Sequence, residues 1–364
     1  MDIGIAYLGA SSSSGRAELI STYDDFFSEV QWAEGRGFSG IWITEHHFST
    51  YSASSSPLLL LARAAMLAPS MRVGTSVLVL PLWDPARLVA DVSTLDVLTG
   101  GRFDLGIGRG YQPHEFLGWG RDVAESRHRF EESVELVLRL FREEDVTFLG
   151  DHHRVAAPVT VLPRPVQSPH PPIWMAAVSA ESVGYAARHG FHLLTPAAQT
   201  VDQLATQSRR MATALRECGR EPGDHRVSTT RYVYCGTDVR GRDTARREAA
   251  RQLQFSSLLA GGGIPYGGNH PVVGEVDPVL VEKADELVLA GGPDAVLEQL
   301  EQLAGAGVTQ VIAGFRYGEM PRELARESME LFAARVLPYT KDIQAEGPRQ
   351  GVVGGSVAAP SEVL

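Results

Sequence analysis

Short apolar runs alternate with longer amphipathic segments along most of this chain. The short runs are typical of buried strands, and the longer segments repeat their apolar residues with the period of a helix. Repeated strand–helix units predict a parallel sheet, and eight of them predict a closed (β/α)8 TIM barrel, with a doubly wound open sheet as the main alternative. The predicted strands are residues 2–8, 40–44, 72–80, 102–108, 172–177, 191–195, 226–234 and 308–313.

Two stretches interrupt this alternation. Residues 150–166, between the fourth and fifth strands, contain three prolines and are predicted to be an insertion. Residues 261–274, after the seventh strand, are rich in glycine; this favours a flexible lid, and an unstructured insertion is equally consistent. We expect the barrel to occupy residues 1–340, and residues 341–364, rich in Gly, Ser, Pro and Ala, predict a flexible C-terminal tail.

Charge and cysteine content narrow the class of protein. A net charge of -11 disfavours a nucleic-acid partner, which would need a basic surface. Two cysteines without a CxxC motif fit a reducing cytoplasm. The N-terminus lacks the pattern of a signal peptide, and the apolar run 57–68 is too short to span a bilayer. We therefore expect a cytoplasmic enzyme without a membrane partner.

Active sites of such barrels lie at the carboxyl ends of the strands, so polar residues that follow each strand are the candidates. On the fourth strand, Gly106 and Gly108 share a face, which would let a flat ligand lie against the backbone. Arg109 is the next residue, and its guanidinium group has the charge and geometry to bind a phosphate. The same pattern would also arise from a tightly packed barrel interior followed by a solvated arginine. The spacing is neither a dinucleotide fingerprint nor a P-loop.

The segment after the fifth strand adds a second candidate for phosphate binding. Ser179 is a good N-cap for a helix that begins near Ala180, and Ser182 adds a hydroxyl in its first turn. Free N–H groups at a helix N-terminus bind phosphate readily. Taken alone, the segment is equally an ordinary helix cap.

Glu45, His46 and His47 follow the second strand. Neighbouring residues on an extended chain face opposite ways, so one histidine is expected to enter the barrel mouth while the other packs outward. An unperturbed imidazole titrates at roughly 6.5, which suits general acid–base work near neutrality. Adjacent histidines on a strand do not converge on one ion, and no HExxH motif occurs, so no metal site is predicted.

Four segments resemble bacterial luciferase and its flavin-dependent relatives, in the same order along the chain. The resemblance extends over nearly the whole chain to about residue 340 and implies the same barrel fold. Two departures, Gly108 in place of the reactive luciferase cysteine and a shorter region after the seventh strand, argue against light emission. The four segments are residues 42–48, 73–81, 101–110 and 314–338.

The resemblance implies a monooxygenase that uses reduced FMN, usually supplied by a separate flavin reductase, and O2. In that family a flavin hydroperoxide or peroxide oxygenates a bound organic substrate. The resemblance assigns His46 as the catalytic residue, Arg109 and Ser182 to the phosphate, and a non-proline cis peptide at Ser76–Val77 to the support beneath the flavin ring. The expected cofactor contacts are Glu45, Ser76, Val77, Gly106, Gly108, Arg109, Ala180, Glu181 and Ser182.

The substrate itself is not identified by the sequence, but we expect it to be largely apolar. Two other functions stay open: a deazaflavin-dependent hydride-transfer oxidoreductase, which relatives with this barrel include, and a non-catalytic flavin-binding partner subunit. The complete run Glu45–His47 favours the monooxygenase, and His46 argues against the non-catalytic alternative. The expected substrate contacts are Tyr7, Phe48, Tyr51, Tyr111 and Phe116.

The predicted helix 57–68 is apolar nearly all round, with Arg63 as its only charge. A barrel helix normally buries one face and shows a polar face to water. The missing polar face predicts a homodimer that packs through this helix, since two-fold dimers are the commonest assembly. Cover by the insertion or by the C-terminal tail of the same chain is the alternative.

Overall fold

Hydrogen bonds between the first and last strands close the parallel sheet into a barrel in this computed structural model, which describes residues 1–11, 14–269 and 275–345. The strands are β1 (Asp2–Tyr7), β2 (Gly40–Ile43), β3 (Arg72–Thr75), β4 (Leu78–Val79), β5 (Phe103–Gly108), β6 (Val146–Leu149), β7 (Arg154–Val159), β8 (Ile173–Ala176), β9 (His192–Thr195), β10 (Val227–Cys235), β11 (Val288–Gly291) and β12 (Gln310–Gly314). Around the barrel the order is β1, β2, β3, β5, β8, β9, β10, β12 and back to β1, and every pairing is parallel. The predicted closed barrel is therefore confirmed, and the open sheet is excluded.

Helices follow most of the strands and form the outer layer. Short 3-10 turns supplement them, the last at Leu337–Asp342. The helices are α1 (Arg16–Ala33), α2 (Pro57–Leu67), α3 (Pro85–Leu98), α4 (Pro113–Gly118), α5 (Ser126–Arg142), α6 (Ala180–His189), α7 (Val201–Glu217), α8 (Val239–Ala260), α9 (Pro278–Leu287), α10 (Pro293–Gly305) and α11 (Arg322–Arg335). Among the described residues, no helix has the length and apolar character needed to cross a membrane.

Three parts of the fold differ from the sequence-based prediction. The predicted insertion belongs to an antiparallel hairpin of β6 and β7 that begins at Val146, before the predicted start. Helix α9 and strand β11 were not predicted, and β11 pairs with the far end of β10 outside the ring of eight. Of the predicted glycine-rich loop and C-terminal tail, residues 270–274 and 346–364 lie outside the described residues, so the lid and the boundary at residue 340 stay predictions.

A small apolar cluster fills the barrel interior. Trp42 on β2 and Trp174 on β8 pack edge to face, with ring centroids 5.5 Å apart, and Leu194 and Ile312 complete the cluster. Gly4 and Gly74 make room for the Trp42 ring, because a Cβ atom at either glycine would lie 2.7 Å from it. The Trp42 indole therefore explains the glycines in the neighbouring strands β1 and β3.

The opposite face of β1 packs against helix α1. Ile3, Ile5 and Tyr7 belong to the main core, and the Tyr7 ring centroid lies 4.1 Å from that of Phe26 on α1. The alternation of side chains along a strand thus turns Tyr7 away from the barrel interior. Tyr7 as a substrate contact stays a prediction, and in this structure its ring packs on Phe26 of α1.

Helix α2 has the unusual surface that its sequence predicts. Leu58, Leu61 and Ala64 are buried against the barrel, whereas the outer face exposes 74 % of Leu59 and 77 % of Met66. Large apolar side chains at this exposure commonly mark an interaction surface when they occur together. The homodimer through this helix therefore stays our prediction.

We expect the wild-type protein to sediment as a dimer at micromolar concentration, and Leu59→Glu combined with Met66→Glu to convert it to a monomer. A charged side chain placed in an apolar interface loses its hydration and finds no partner there. The cost, on the order of several kcal/mol, is comparable with the whole binding free energy of a weak interface. Val239→Glu, at another exposed apolar position, should leave the dimer intact. A wild-type monomer would refute the dimer.

Candidate active site

The loop that follows β2 presents one histidine to the barrel mouth and buries the other. His46 Nδ1 lies 3.0 Å from Glu115 Oε1, and the ring stands edge-on to Tyr51 with centroids 4.8 Å apart. His47 is buried, and its Nε2 lies 2.8 Å from Glu45 Oε1. The two histidines thus differ in their partners: His46 meets Glu115 and Tyr51, whereas His47 meets Glu45.

The contact with Glu115 fixes the tautomer of His46. A carboxylate accepts hydrogen bonds only, so we assign the proton of the neutral imidazole to Nδ1, from which it is donated to Glu115. Nε2 then carries a lone pair, and among the described residues it has no hydrogen-bond partner. His46 therefore offers the barrel mouth a nitrogen that accepts a proton.

Glu115 lies on the short helix α4 and is almost completely buried. Its Oε1 also accepts a hydrogen bond of 2.8 Å from the backbone N–H of His47. Burial by itself would raise the pKa of Glu115, but the nearby His46 and the hydrogen bonds from His46 and the His47 backbone outweigh burial, so the pKa lies below its usual value. The carboxylate is therefore ionised at neutral pH.

Glu45 stabilises the loop from the other side and is not open to a cofactor. Its Oε2 accepts a hydrogen bond of 2.6 Å from the backbone N–H of Val79, and both its oxygens lie 3.0 Å from Trp83 Nε1. Together with His47, these partners enclose a side chain that is 1 % exposed. The predicted cofactor contact of Glu45 stays a prediction, and its carboxylate is occupied by His47, Val79 and Trp83.

The peptide bond between Ser76 and Val77 is cis, as the resemblance implies. Val77 packs on the interior cluster of Trp42 and Trp174, and it is only partly buried. Its side chain faces Gly108, where a Cβ atom would lie 2.6 Å from Val77 Cγ2. The floor of the barrel mouth is thus apolar at this point.

The close approach of β3 explains why residue 106 is a glycine, and the sequence alone did not reveal this contact. A Cβ atom there would lie 1.8 Å from the carbonyl oxygen of Thr75, and the Thr75 hydroxyl bridges the Gly106 N–H and carbonyl at 2.8 Å each. The space beside Gly106 is therefore filled by β3. Close packing against Thr75 thus accounts for this glycine, and its predicted cofactor contact stays a prediction.

Arg109 and the N-terminus of α6 lie at the ends of neighbouring strands. Strands β5 and β8 pair through Ile107 and Met175, and Arg109 follows the first of these by two residues. Arg109 is exposed and makes no ion pair or hydrogen bond within the part of the chain that the structure describes. A free guanidinium group thus lies on the same rim as a helix N-terminus.

The N-terminus of α6 is capped as the sequence predicts. Ser179 accepts a hydrogen bond of 3.2 Å from the backbone N–H of Ser182, and the two hydroxyl oxygens lie 3.0 Å apart. The side chain of Glu181 forms an ion pair of 2.9 Å with Arg127. The carboxylate is thereby neutralised at the end of the helix where an anion would bind, while Ala180 stays exposed.

Of the predicted substrate contacts, Tyr51 and Tyr111 lie beside His46, and Tyr111 has its ring centroid 6.2 Å from that of His46. Burial beside Tyr111 and Tyr232 raises the pKa of Tyr51. The Tyr111 hydroxyl lies 3.2 Å from Ser256 Oγ on α8. This side of the site is lined by hydroxyl groups as well as by rings.

The other two aromatic candidates lie elsewhere. Phe48 adopts a φ of 60° and pairs with the rings of His47 and Trp119, each at 5.7 Å. Phe116 is 0 % exposed and packs beneath Gly110. Helix α4 turns Phe116 into the protein, and its predicted substrate contact stays a prediction.

Sequence reasoning missed Glu115, Ser256 and Trp83, which belong to the site or support it. Glu115 and Ser256 lie on helices, and the strand-end rule does not examine helices. A glutamate in the first turn of a short helix just after the fourth barrel strand was the available signal for Glu115. In the described ranges, no group of three or more His, Cys, Asp or Glu side chains is placed to hold a metal ion.

Comparison with known proteins identifies the family. The sequence profile of the luciferase-like monooxygenases matches residues 1–310. The chain belongs to this family. The protein y4vJ of Sinorhizobium fredii is 36 % identical over 207 residues, which cover 57 % of this chain and 59 % of that protein. The oxygenase component of a flavin-dependent trigonelline monooxygenase from Acinetobacter baylyi is 30 % identical, and the match covers 48 % of this chain and 49 % of that protein.

Solved structures share the barrel over nearly the whole chain. The monooxygenase RslO1 from Streptomyces bottropensis is 28 % identical with a TM-score of 0.81, covering 93 % of this chain and 100 % of RslO1. The oxygenating constituent of 3,6-diketocamphane monooxygenase from Pseudomonas putida, in complex with FMN, is 20 % identical with a TM-score of 0.75 and coverages of 93 % and 98 %. An F420-dependent secondary alcohol dehydrogenase is 16 % identical with a TM-score of 0.72 and coverages of 92 % and 98 %. The last two show the fold alone.

We expect Glu115→Gln to reduce the free energy of unfolding at neutral pH by about 1–2 kcal/mol, since it removes the charge from two hydrogen bonds. The folded pKa of Glu115 is lowered, so the ionised carboxylate stabilises the fold above its unfolded value near 4.5, and this contribution is lost as pH falls through the folded value. Urea unfolding at about pH 7 and at about pH 4 measures the free energy of unfolding of both proteins. The difference between the wild type and Glu115→Gln should therefore be smaller at acid pH. Glu135→Gln, exposed on α5, is the matched control. An equal loss at both pH values would contradict the ionised carboxylate.

Proposed function

We propose that the chain is the oxygenase component of an FMN-dependent monooxygenase that inserts one oxygen atom into a largely apolar organic substrate. The observation that carries the proposal is the free Arg109 guanidinium on the same rim as His46, whose Nε2 is open to the mouth. The similarity to the monooxygenase RslO1, at 28 % identity over nearly the whole chain, supports this chemistry. The trigonelline relative is named an oxygenase component, which supports a separate flavin reductase as partner.

The residues present fit FMN. The phosphate would lie between Arg109 and the first turn of α6, where the guanidinium group, the N–H groups of Ala180 and Glu181, and the Ser182 hydroxyl supply donors. The ion pair of Glu181 with Arg127 offsets the one carboxylate that would repel an anion there. The isoalloxazine ring would rest near Ser76 and Val77 on the apolar floor.

Bound reduced FMN supplies the electrons that activate O2. The chain contributes orientation, exclusion of water by the apolar floor, and a proton acceptor. His46 Nε2 accepts a proton from the reacting group, and the carboxylate of Glu115 stabilises the imidazolium that results, because its charge lies 3.0 Å from Nδ1. Glu115 is thus a positioning residue that acts through His46.

Tyr51 and Tyr111 are proposed to hold the substrate beside His46. Their rings supply the apolar contact that a largely hydrocarbon substrate needs. The hydroxyl groups of Tyr111 and Ser256 are well placed for an oxygen substituent on such a molecule. A substrate with a carbonyl or hydroxyl group next to the carbon that reacts fits this lining better than an unsubstituted alkane.

The cofactor distinguishes this proposal from deazaflavin-dependent hydride transfer, which the F420-dependent neighbour of the same fold keeps open. We expect reduced FMN, regenerated by a flavin reductase, to support O2-dependent turnover, and reduced F420 to support none. Turnover with F420 without O2 would overturn the proposal. An absence of turnover with either cofactor, across aldehyde, ketone and aromatic substrates, would favour the non-catalytic subunit.

Arg109→Ala should weaken binding of reduced FMN by about ten- to a hundredfold, because a charge-assisted contact contributes roughly 1.5–3 kcal/mol. Riboflavin lacks the phosphate, so its affinity should not change. Anaerobic titration measures both ligands, and Arg210→Ala, an exposed arginine on α7, is the matched control. An equal loss for FMN and riboflavin would remove Arg109 from the phosphate site.

His46→Ala should lower turnover by roughly 10²–10⁴-fold and leave FMN affinity nearly unchanged, since it removes a proton acceptor. His47→Ala should instead lower thermal stability, because it breaks the buried contact with Glu45. Turnover per folded enzyme and the melting temperature separate the two effects. Greater loss of turnover in His47→Ala would reverse the assignment of the two histidines.

A further inference from the structure

Gln112 lies at the start of helix α4, three residues before Glu115, and it is completely buried. Its Nε2 donates a hydrogen bond of 3.1 Å to the hydroxyl oxygen of Tyr111. Its Oε1 is buried and has no hydrogen-bond partner among the described residues. A buried amide of which one end is unused calls for a reason beyond packing.

The orientation of the Gln112 amide follows from its partners, because its two ends have nearly the same shape. With Nε2 toward Tyr111, the atom without a partner is a carbonyl oxygen. In the reverse orientation it would be an NH2 group with two unused protons. Buried donors without a partner are rarer in proteins than under-used carbonyl oxygens. We therefore assign the NH2 group to the side of Tyr111.

This contact gives the Tyr111 hydroxyl a direction. An amide N–H group only donates, so the Tyr111 oxygen accepts there and its own proton points elsewhere. The nearest acceptor is Ser256 Oγ on α8, at 3.2 Å. Hydrogen bonds that run in one direction polarise one another, which strengthens the Tyr111 hydroxyl as a donor. Tyr111 is 38 % exposed, so a ligand can reach this end of the chain of hydrogen bonds.

Helix α4 controls a proton acceptor beside this donor. The ring centroid of Tyr111 lies 6.2 Å from that of His46. Glu115, on the same helix as Gln112, binds His46 Nδ1 and leaves its Nε2 open. The barrel mouth therefore presents an acceptor nitrogen and a donor hydroxyl next to each other. An oxygen atom that accepts a hydrogen bond, such as a carbonyl oxygen, complements the donor while its neighbouring atoms face His46.

We propose that Gln112 is a positioning residue that keeps the Tyr111 hydroxyl as a hydrogen-bond donor to an acceptor oxygen of the substrate. The inference rests on the proposed function, because it places the substrate beside His46. Gln112 does not touch the substrate and acts through Tyr111. A hydrocarbon of the same shape as the substrate would lose this contact.

The proposal is tested with two ligands of one shape, acetophenone and α-methylstyrene, in which a CH2 group replaces the carbonyl oxygen. Calorimetric titration with oxidised FMN present and no reductant measures their binding without turnover. We expect the wild-type protein to bind acetophenone about fivefold more tightly, as one uncharged hydrogen bond would give. Tyr111→Phe should abolish this preference. Gln112→Met, which removes the amide at similar volume, should reduce it to less than about twofold.

Two controls separate this role from a structural one. Gln302→Met, at an exposed position of α10, should retain the preference. Gln112→Met combined with Tyr111→Phe should show the same ratio of affinities as Tyr111→Phe alone, because Gln112 acts through that hydroxyl. Damage to the fold would instead lower both affinities alike and leave their ratio unchanged.

Infrared spectroscopy gives a second measurement that needs no change at the buried position. A hydrogen bond weakens the C=O bond, so the carbonyl stretch of bound acetophenone should lie at lower frequency in the wild type than in Tyr111→Phe. Equal affinities of the two ligands in the wild type, no binding of acetophenone, or a preference that survives Tyr111→Phe or Gln112→Met would each overturn the proposal.

O2-dependent turnover with reduced FMN, measured on the wild type, tests the proposed function separately. Turnover without the preference for acetophenone would reject the role of Gln112 alone. The preference without turnover would support the donor at the barrel mouth and reject the proposed function.

Discussion

The hydrogen bonds that Glu115 accepts hold the loop after β2 in an arrangement that leaves His46 Nε2 free. One carboxylate oxygen binds both the His46 ring and the backbone N–H of His47, so it sets the side chain and the chain direction together. His114, next to Glu115 on α4, contributes a further contact of 3.2 Å from its Nε2 to the His47 carbonyl. A short helix therefore determines which face of a distant loop meets the barrel mouth.

Glu45 complements Glu115 from the opposite side of the same loop. Its bonds to Val79 and Trp83 attach the loop to the strand that follows the Ser76–Val77 peptide. The proposed proton acceptor and the proposed flavin floor are thus parts of one hydrogen-bonded unit. A change in either carboxylate would disturb both, so their effects on binding and turnover are not expected to add independently.

Features of this protein that follow from local sequence patterns were predicted, whereas features that depend on contacts between distant residues were not. The barrel followed from strand–helix alternation, and His46 followed from the rule that strand ends carry the site. The surroundings of Tyr7 and Gly106 depend on neighbours that the sequence does not show: Phe26 on α1 for the first, and the Thr75 carbonyl for the second. Local patterns do not contain those contacts. The pair His46–Glu115 is separated by 69 positions and forms only once α4 folds back.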